Sequence, residues 1–161
     1  MTTAPRLKIA GLMLVILAAF FGVISSAHAL TLDEQRSYDK WVALLKSSDS
    51  HINDVKQKCG IDLPVKLDPA LVTPFMAENK NGGYFCDVAL EEIADTCADD
   101  VGKKAVASKI KSLSCINSAA KDQVSLKLVE GDAQVGELQF IFGPDGSNQA
   151  AAVQKFLGNN L

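Results

Sequence analysis

Two cysteines stand at the ends of a stretch that predicts an acidic amphipathic helix, CDVALEEIADTC (86–97). Its apolar positions recur at spacings of four, three and four, the pattern of one helix face: Cys86, Leu90, Ile93 and Cys97. Eleven residues of helix separate the first and last Cα atoms by roughly 16 Å, whereas a disulfide requires Cα atoms within about 7 Å. Cys86 and Cys97 therefore cannot pair with each other.

The remaining two cysteines, Cys59 and Cys115, must supply the partners. A second helix is predicted near residues 101–113, after the ADD break, and it should run back antiparallel to the first. Its length of about twelve residues brings Cys115 beside Cys86, which leaves Cys59 for Cys97. We expect the pairs Cys86–Cys115 and Cys59–Cys97, and the pairing of Cys59 with Cys86 and Cys97 with Cys115 stays open.

The chemistry that these cysteines favour is structural. A redox dithiol needs neighbouring sulfurs in an electropositive setting, and a zinc site needs close ligand pairs or nearby histidines. Here the cysteines are widely spaced, and the helix between Cys86 and Cys97 is acidic. The sequence thus predicts two disulfides, with no metal site, no cofactor and no catalytic cysteine.

The N-terminus predicts a secretory signal peptide. Arg6 and Lys8 precede an uncharged apolar run at 9–24, and the small-x-small pattern ends at Ala29. We expect cleavage after Ala29 and export by general secretion to the periplasm or the outside of the cell. The alternative is an uncleaved membrane anchor, although the apolar run is shorter than the roughly 20 residues that span a bilayer.

Residues 30–161 form a chain whose length suits one domain, and no repeat or linker divides it. The leader holds two of the 16 basic residues and none of the 19 acidic ones, so the remaining chain has a net charge of −5. Because nucleic acids and anionic membranes are themselves negative, we expect neither as a partner. A membrane association is expected only if the leader is retained.

The sequence predicts an α+β domain. An apolar stripe runs over 31–59 at helical spacing, with Thr31 and Glu34 as a capping box and Gly60 as a stop. The serine-rich segment 47–50 can bend or split this helix. The segment 61–76 contains three prolines, which predict short helical turns rather than one long helix.

The C-terminal third changes to a period of two, which predicts strands. Two alternating segments, QVSLKLVE and VGELQFIF, form an antiparallel hairpin with one buried face around the turn EGDA, and 113–118 adds a third strand. A last helix near 147–158 buries Val153, Phe156 and Leu157. The expected architecture is an N-terminal helix and a helical hairpin packed on a small three-stranded antiparallel sheet, with a C-terminal helix.

Catalytic signals are sparse in the exported part. His51 is its single histidine, and no nucleophile motif accompanies it, so a helix-surface histidine is the favoured interpretation. We predict no catalytic residues. A hydrolase that uses two carboxylates on cell-wall or sugar substrates remains an alternative, and so does a small-ligand carrier with Trp41 lining its pocket.

The favoured function is non-catalytic binding by surface contact, as in an inhibitor, immunity factor, adaptor or envelope accessory. Acidic residues on the 86–97 helix and one aromatic residue before it form the candidate partner surface: Tyr84, Glu91, Glu92 and Asp95. Its charge predicts a basic envelope or secreted protein as partner.

Overall fold

The structure, a computed structural model, describes residues 29–129 and 136–161. Residues 1–28 of the predicted leader lie outside the described residues. The α-helices are α1 (Leu32–Leu45), α2 (Ile52–Cys59), α3 (Val72–Ala77), α4 (Gly82–Thr96), α5 (Asp100–Lys109) and α6 (Gln149–Asn160). The strands are β1 (Val65–Leu67), β2 (Ser112–Asn117), β3 (Val124–Val129) and β4 (Glu137–Phe142). The predicted α+β class is confirmed.

The predicted N-terminal stripe divides into α1 and α2, with turns at 46–51 between them. Thr31 begins α1 with a complete capping box. Its side chain accepts the Glu34 N–H at 3.3 Å, and the Glu34 carboxylate accepts the Thr31 N–H at 2.8 Å. Gly60 ends α2 with a φ of 73°, a left-handed conformation that favours glycine.

Within the described residues the sheet is mixed and has four strands in the order β1-β2-β4-β3, so the expectation of three antiparallel strands is wrong. The hairpin of β3 and β4 is antiparallel as predicted, and its predicted turn lies outside the described residues. β2 pairs in parallel with β4. The six residues 118–123 connect β2 to β3, which lies beyond β4 at the far edge of the sheet. Because this short connection reverses the chain, β2 runs antiparallel to β3 and therefore parallel to β4.

β1 is the strand that the sequence did not predict, because it fills only three residues between prolines. It pairs in parallel with β2. The carbonyl of Pro64 accepts the Leu113 N–H at 2.9 Å, and the Asp68 N–H donates to the Cys115 carbonyl at 2.9 Å. Parallel neighbours need a long crossover, which here contains α3, α4 and α5.

Both disulfides join elements that are distant in sequence. Cys86 in α4 bonds to Cys115 in β2, with 5.8 Å between their Cα atoms. Cys97, which follows α4, bonds to Cys59 at the end of α2, with 5.2 Å between their Cα atoms. These are the pairs that the helix geometry favours, and they fix both ends of α4.

The core lies between the helices and one face of the sheet. Leu138, Phe140 and Phe142 of β4 are completely buried on this face, whereas the alternate residues Gln139 and Ile141 are half-buried. Phe75 stands at the centre of an aromatic cluster and meets three rings edge-on: Trp41, Phe85 and Phe142. Such pairs add to the stability that burial of their area provides.

A glycine near the start of α5 tests how closely the backbone is packed there. A Cβ on Gly102 would overlap the carbonyl oxygen of Thr96, while a Cβ on Gly158 in α6 would meet nothing within 4 Å. We expect Gly102→Ala to lower the free energy of unfolding by about 2 kcal/mol through overpacking. Gly158→Ala should raise it by about 0.5 kcal/mol, because alanine favours helix. Urea unfolding measures both, and equal effects would contradict the close approach at Gly102.

Candidate functional site

The predicted partner surface is only partly present on α4. Tyr84, Glu91 and Asp95 lie at spacings of seven and four and are all exposed, so they share one outer stripe, which we call the α4 stripe. Glu92 is 7% exposed and does not belong to it. One residue turns a helix by about 100°, which carries Glu92 away from the face of Glu91.

The α4 stripe is also less acidic than its sequence indicates. The Asp95 carboxylate accepts a hydrogen bond from Lys58 Nζ of α2 at 2.8 Å. This hydrogen bond is the main cause that raises the pKa of Lys58. Because the pair neutralises one charge, Glu91 is the remaining acidic residue of the stripe.

A polar cluster that sequence reasoning missed joins the start of α2 to α4. The Asp87 carboxylate accepts three hydrogen bonds from the turn before α2. Ser50 Oγ donates to Oδ1 at 2.7 Å, the His51 N–H donates to Oδ1 at 3.0 Å, and His51 Nδ1 lies 2.8 Å from Oδ2. Asp87 and Ser50 are buried, and His51 is half-buried. The cluster thus caps α2 from a neighbouring helix.

The connectivity of this cluster does not fit a serine hydrolase, although the three residue types match. In a catalytic triad the serine hydroxyl donates to the histidine, which then takes its proton. Here the Ser50 hydroxyl donates to Asp87 instead, and Ser50 is only 4% exposed. The geometry therefore indicates a structural role, in which the cluster holds the start of α2 against α4.

The environment of His51 favours its charged form. Partial burial lowers the pKa of the imidazole, but the hydrogen bond and the charge of Asp87 raise it, and the charges of Glu91 and Asp54 add to this. The upward effects prevail, so the pKa lies above its usual value of 6.5. Protonated His51 therefore forms a charge-assisted contact with Asp87 in the folded protein.

The pH dependence of stability tests this contact. Since the folded pKa is raised, the stabilising contribution of His51 is complete below about pH 6.5 and is lost as pH rises through the folded pKa. We expect wild type to exceed His51→Gln in unfolding free energy by about 0.5 to 1 kcal/mol at pH 5.5 and by less at pH 8.5. Urea unfolding at both pH values measures this. In Asp87→Asn, the NMR titration midpoint of His51 should fall, and an unchanged midpoint would contradict the assignment.

Two hollows adjoin each other near β1. The larger, which we call the α2–β1 groove, has a volume of about 340 Å³ and is lined by Ile52, Asn53, Lys56, Asp62, Leu63 and Pro64. A smaller cavity of about 150 Å³ shares three of these residues and reaches α1. Lys56 Nζ and the Asp62 carboxylate are 2.7 Å apart in the wall of the larger groove, so its charges already satisfy each other.

A separate groove of about 270 Å³ lies between β3 and α6, and we call it the β3–α6 groove. Four of its lining residues are apolar and four are polar: Val124, Leu126, Ala152 and Phe156, with Ser125, Lys155, Asn159 and Asn160. Val124, Leu126 and Phe156 pack against the core but stay partly exposed. No acidic residue lines the groove, and Lys155 has no ion-pair partner within the described residues.

Trp41, which would line the pocket in the alternative of a small-ligand carrier, is 6% exposed and belongs to the core. Its ring packs close to Gly82, where an added Cβ would lie 3.0 Å from it. Across residues 29–129 and 136–161, no group of three His, Cys, Asp or Glu side chains could hold a metal ion. Nor does any helix in these ranges combine the length and apolar character that crossing a membrane requires.

Comparison of the chain with protein-family models, with curated proteins and with solved structures gives no match. Its function has therefore to be inferred from its own contacts and charges.

Proposed function

We propose that this chain is an exported, non-catalytic binding protein that acts by surface contact, of the inhibitor, immunity, adaptor or accessory type. The β3–α6 groove is the observation that carries this proposal. It combines a partly exposed apolar lining with polar neighbours, which is the composition of many recognition surfaces. The two disulfides would hold such a surface rigid in an oxidising compartment.

The packing around the groove supports this choice. Phe140 and Phe142 in the middle of the sheet are completely buried, yet Phe156 remains partly exposed above the edge strand. Burying its exposed part would contribute about 25 cal/mol for each Å² removed from water. The α2–β1 groove is a less favourable binding surface, because an apolar partner would have to desolvate the ion pair of Lys56 with Asp62.

The charge of the groove does not support the basic partner predicted from the sequence. Among the described residues Lys155 is the one charged residue that lines the groove, which therefore favours an uncharged or acidic segment. The prediction of a basic partner depends on the α4 stripe alone, where Tyr84 is 62% exposed and Glu91 carries the charge. The stripe is therefore a second candidate contact surface.

The two alternative functions have weaker support. A glycosidase needs two carboxylates facing each other across a cleft. In the described part of the chain the α2–β1 groove contains one, Asp62, which forms an ion pair with Lys56, and the β3–α6 groove contains none. A small-ligand carrier needs a pocket of roughly 300 to 1,000 Å³ that encloses its ligand. The apolar cavity beside α1 has about 150 Å³, and the α2–β1 groove, although about 340 Å³ in volume, is open to solvent and contains the ion pair of Lys56 with Asp62.

The mass of the exported protein tests the compartment. When the chain is expressed with its own leader, we expect a product that begins at Leu30, contains two disulfides and takes up no alkylating reagent under native conditions. Intact mass spectrometry with and without a thiol reagent measures this. A mass that retains the leader would contradict export as a free protein, and alkylated cysteines would contradict the structural role of the disulfides.

Photo-crosslinking in the exporting cell tests the contact surface. A photoreactive phenylalanine at Asn159, in the groove, should crosslink a partner protein, while the same residue at exposed Val101 should not. Ala152→Glu should reduce the crosslink about tenfold, because it places a carboxylate against the apolar lining. Gln154→Glu makes the same charge change on the exposed side of α6 and is the matched control. Equal crosslinking from Asn159 and Val101 would contradict the assignment of the groove.

A further inference from the structure

We propose that the β3–α6 groove binds an extended segment of a partner protein, which joins the sheet as a fifth strand beside β3. This inference rests on the proposed function, since it specifies how a partner contacts the same groove. Strand addition is a common mode of peptide recognition, in which main-chain hydrogen bonds give affinity and side-chain pockets give specificity.

The main-chain groups on the outer edge of β3 are available for such bonds. β3 ends the strand order, and within the described residues it pairs with β4 alone. The register places Ser125, Lys127 and Val129 opposite Ile141, Gln139 and Glu137. The Gly143 N–H donates to the Gln123 carbonyl at 3.0 Å, which fixes the odd-numbered residues of β3 as those bonded to β4. The N–H and C=O groups of the alternate residues therefore point outward: Val124, Leu126 and Leu128.

The groove beside this edge has the shape that an added strand needs. A new strand would lie about 4.8 Å from β3, and every second side chain would point to the same face as Val124 and Leu126. On that face Ala152 and Phe156 of α6 form the wall of the groove. The fitting segment thus has small or apolar side chains at alternate positions facing α6, and polar ones between them.

Charge and backbone chemistry narrow the occupant further. Lys155 lines the groove as an exposed cation without an ion-pair partner in the described part of the chain, so an acidic side chain or a terminal carboxylate fits beside it. Proline is excluded at positions that donate to β3, because it has no N–H. The expected occupant is an extended, proline-free, alternating segment with a carboxylate near Lys155.

A second copy of this chain is a less suitable occupant. Antiparallel pairing of two β3 edges would bring their exposed Lys127 side chains close together in the middle of the new pair. Lysine on an edge strand is a usual device against such self-pairing. A partner segment with a carboxylate meets no such repulsion.

Selection from a displayed library of random nonapeptides against the full exported chain tests the proposal. The enriched sequences should alternate apolar and polar residues and carry an acidic group. When the best peptide is synthesised and its amides are methylated one at a time, alternate positions should lose affinity by about tenfold or more, and the positions between them by less than about twofold. The same peptide should slow hydrogen exchange at the amides of Val124, Leu126 and Leu128.

Two variants of Leu126 separate the contribution of its main-chain hydrogen bond to binding from that of its side chain. Leu126→Pro and Leu126→Ala both remove the leucine, but only the proline removes the outward N–H, so Leu126→Pro should bind the peptide about tenfold more weakly than Leu126→Ala. Urea unfolding of both variants shows whether they are equally folded. Lys155→Glu should weaken binding of the acidic peptide by a similar factor.

Each result supports or overturns the inference. Binding in the groove with no alternation on methylation would overturn strand addition and leave the proposed binding function standing. No enriched peptide and no crosslink at Asn159 would overturn both. A dimer in sedimentation experiments that is abolished by Leu126→Pro would assign the edge to a second copy and overturn the partner segment.

Discussion

The Cys86–Cys115 disulfide sets the position of α4, and most of the other helices pack on α4. The bridge holds one end of α4 against β2, while Cys97 at the other end is bonded to Cys59 of α2. Helices α1, α2 and α6 all pack on α4. Since α6 packs on both α4 and β3, the position of α4 bears on how α6 lies over the edge of the sheet at the β3–α6 groove.

Local features of the fold could be predicted from the sequence, because neighbouring residues determine them. The capping box of Thr31 and Glu34 and the stop at Gly60 are both present. Helical rise alone separates Cys86 from Cys97 by too great a distance for a bond, and the predicted hairpin needs only its period of two. In each case the relevant atoms lie within one element or in adjacent ones.

Apart from the two disulfides, whose pairs the helix geometry favours, the features that depend on contacts between distant segments could not be predicted. Strand β1 has three residues and gains its hydrogen bonds from β2, nearly fifty residues later. In the sequence Asp87 is one of several acidic residues in an amphipathic helix, yet its carboxylate accepts hydrogen bonds from the turn before α2 and holds His51. Glu92 was assigned to the surface because charge alone does not reveal which side of a helix faces the core. The β3–α6 groove has no sequence motif, because it forms only where α6 lies next to the edge strand β3 in the folded protein.

The order of the cysteines along the chain has a consequence for biogenesis. The two bridges interlace, because Cys86 precedes the partner of Cys59 and Cys97 precedes the partner of Cys86. A chain that enters an oxidising compartment N-terminus first presents Cys59 and Cys86 to an oxidant before either native partner has arrived. Thiol–disulfide exchange can then correct that premature bond, through a mixed-disulfide intermediate. If this chain is exported as we propose, its maturation requires a disulfide isomerase as well as an oxidase whenever oxidation is faster than translocation.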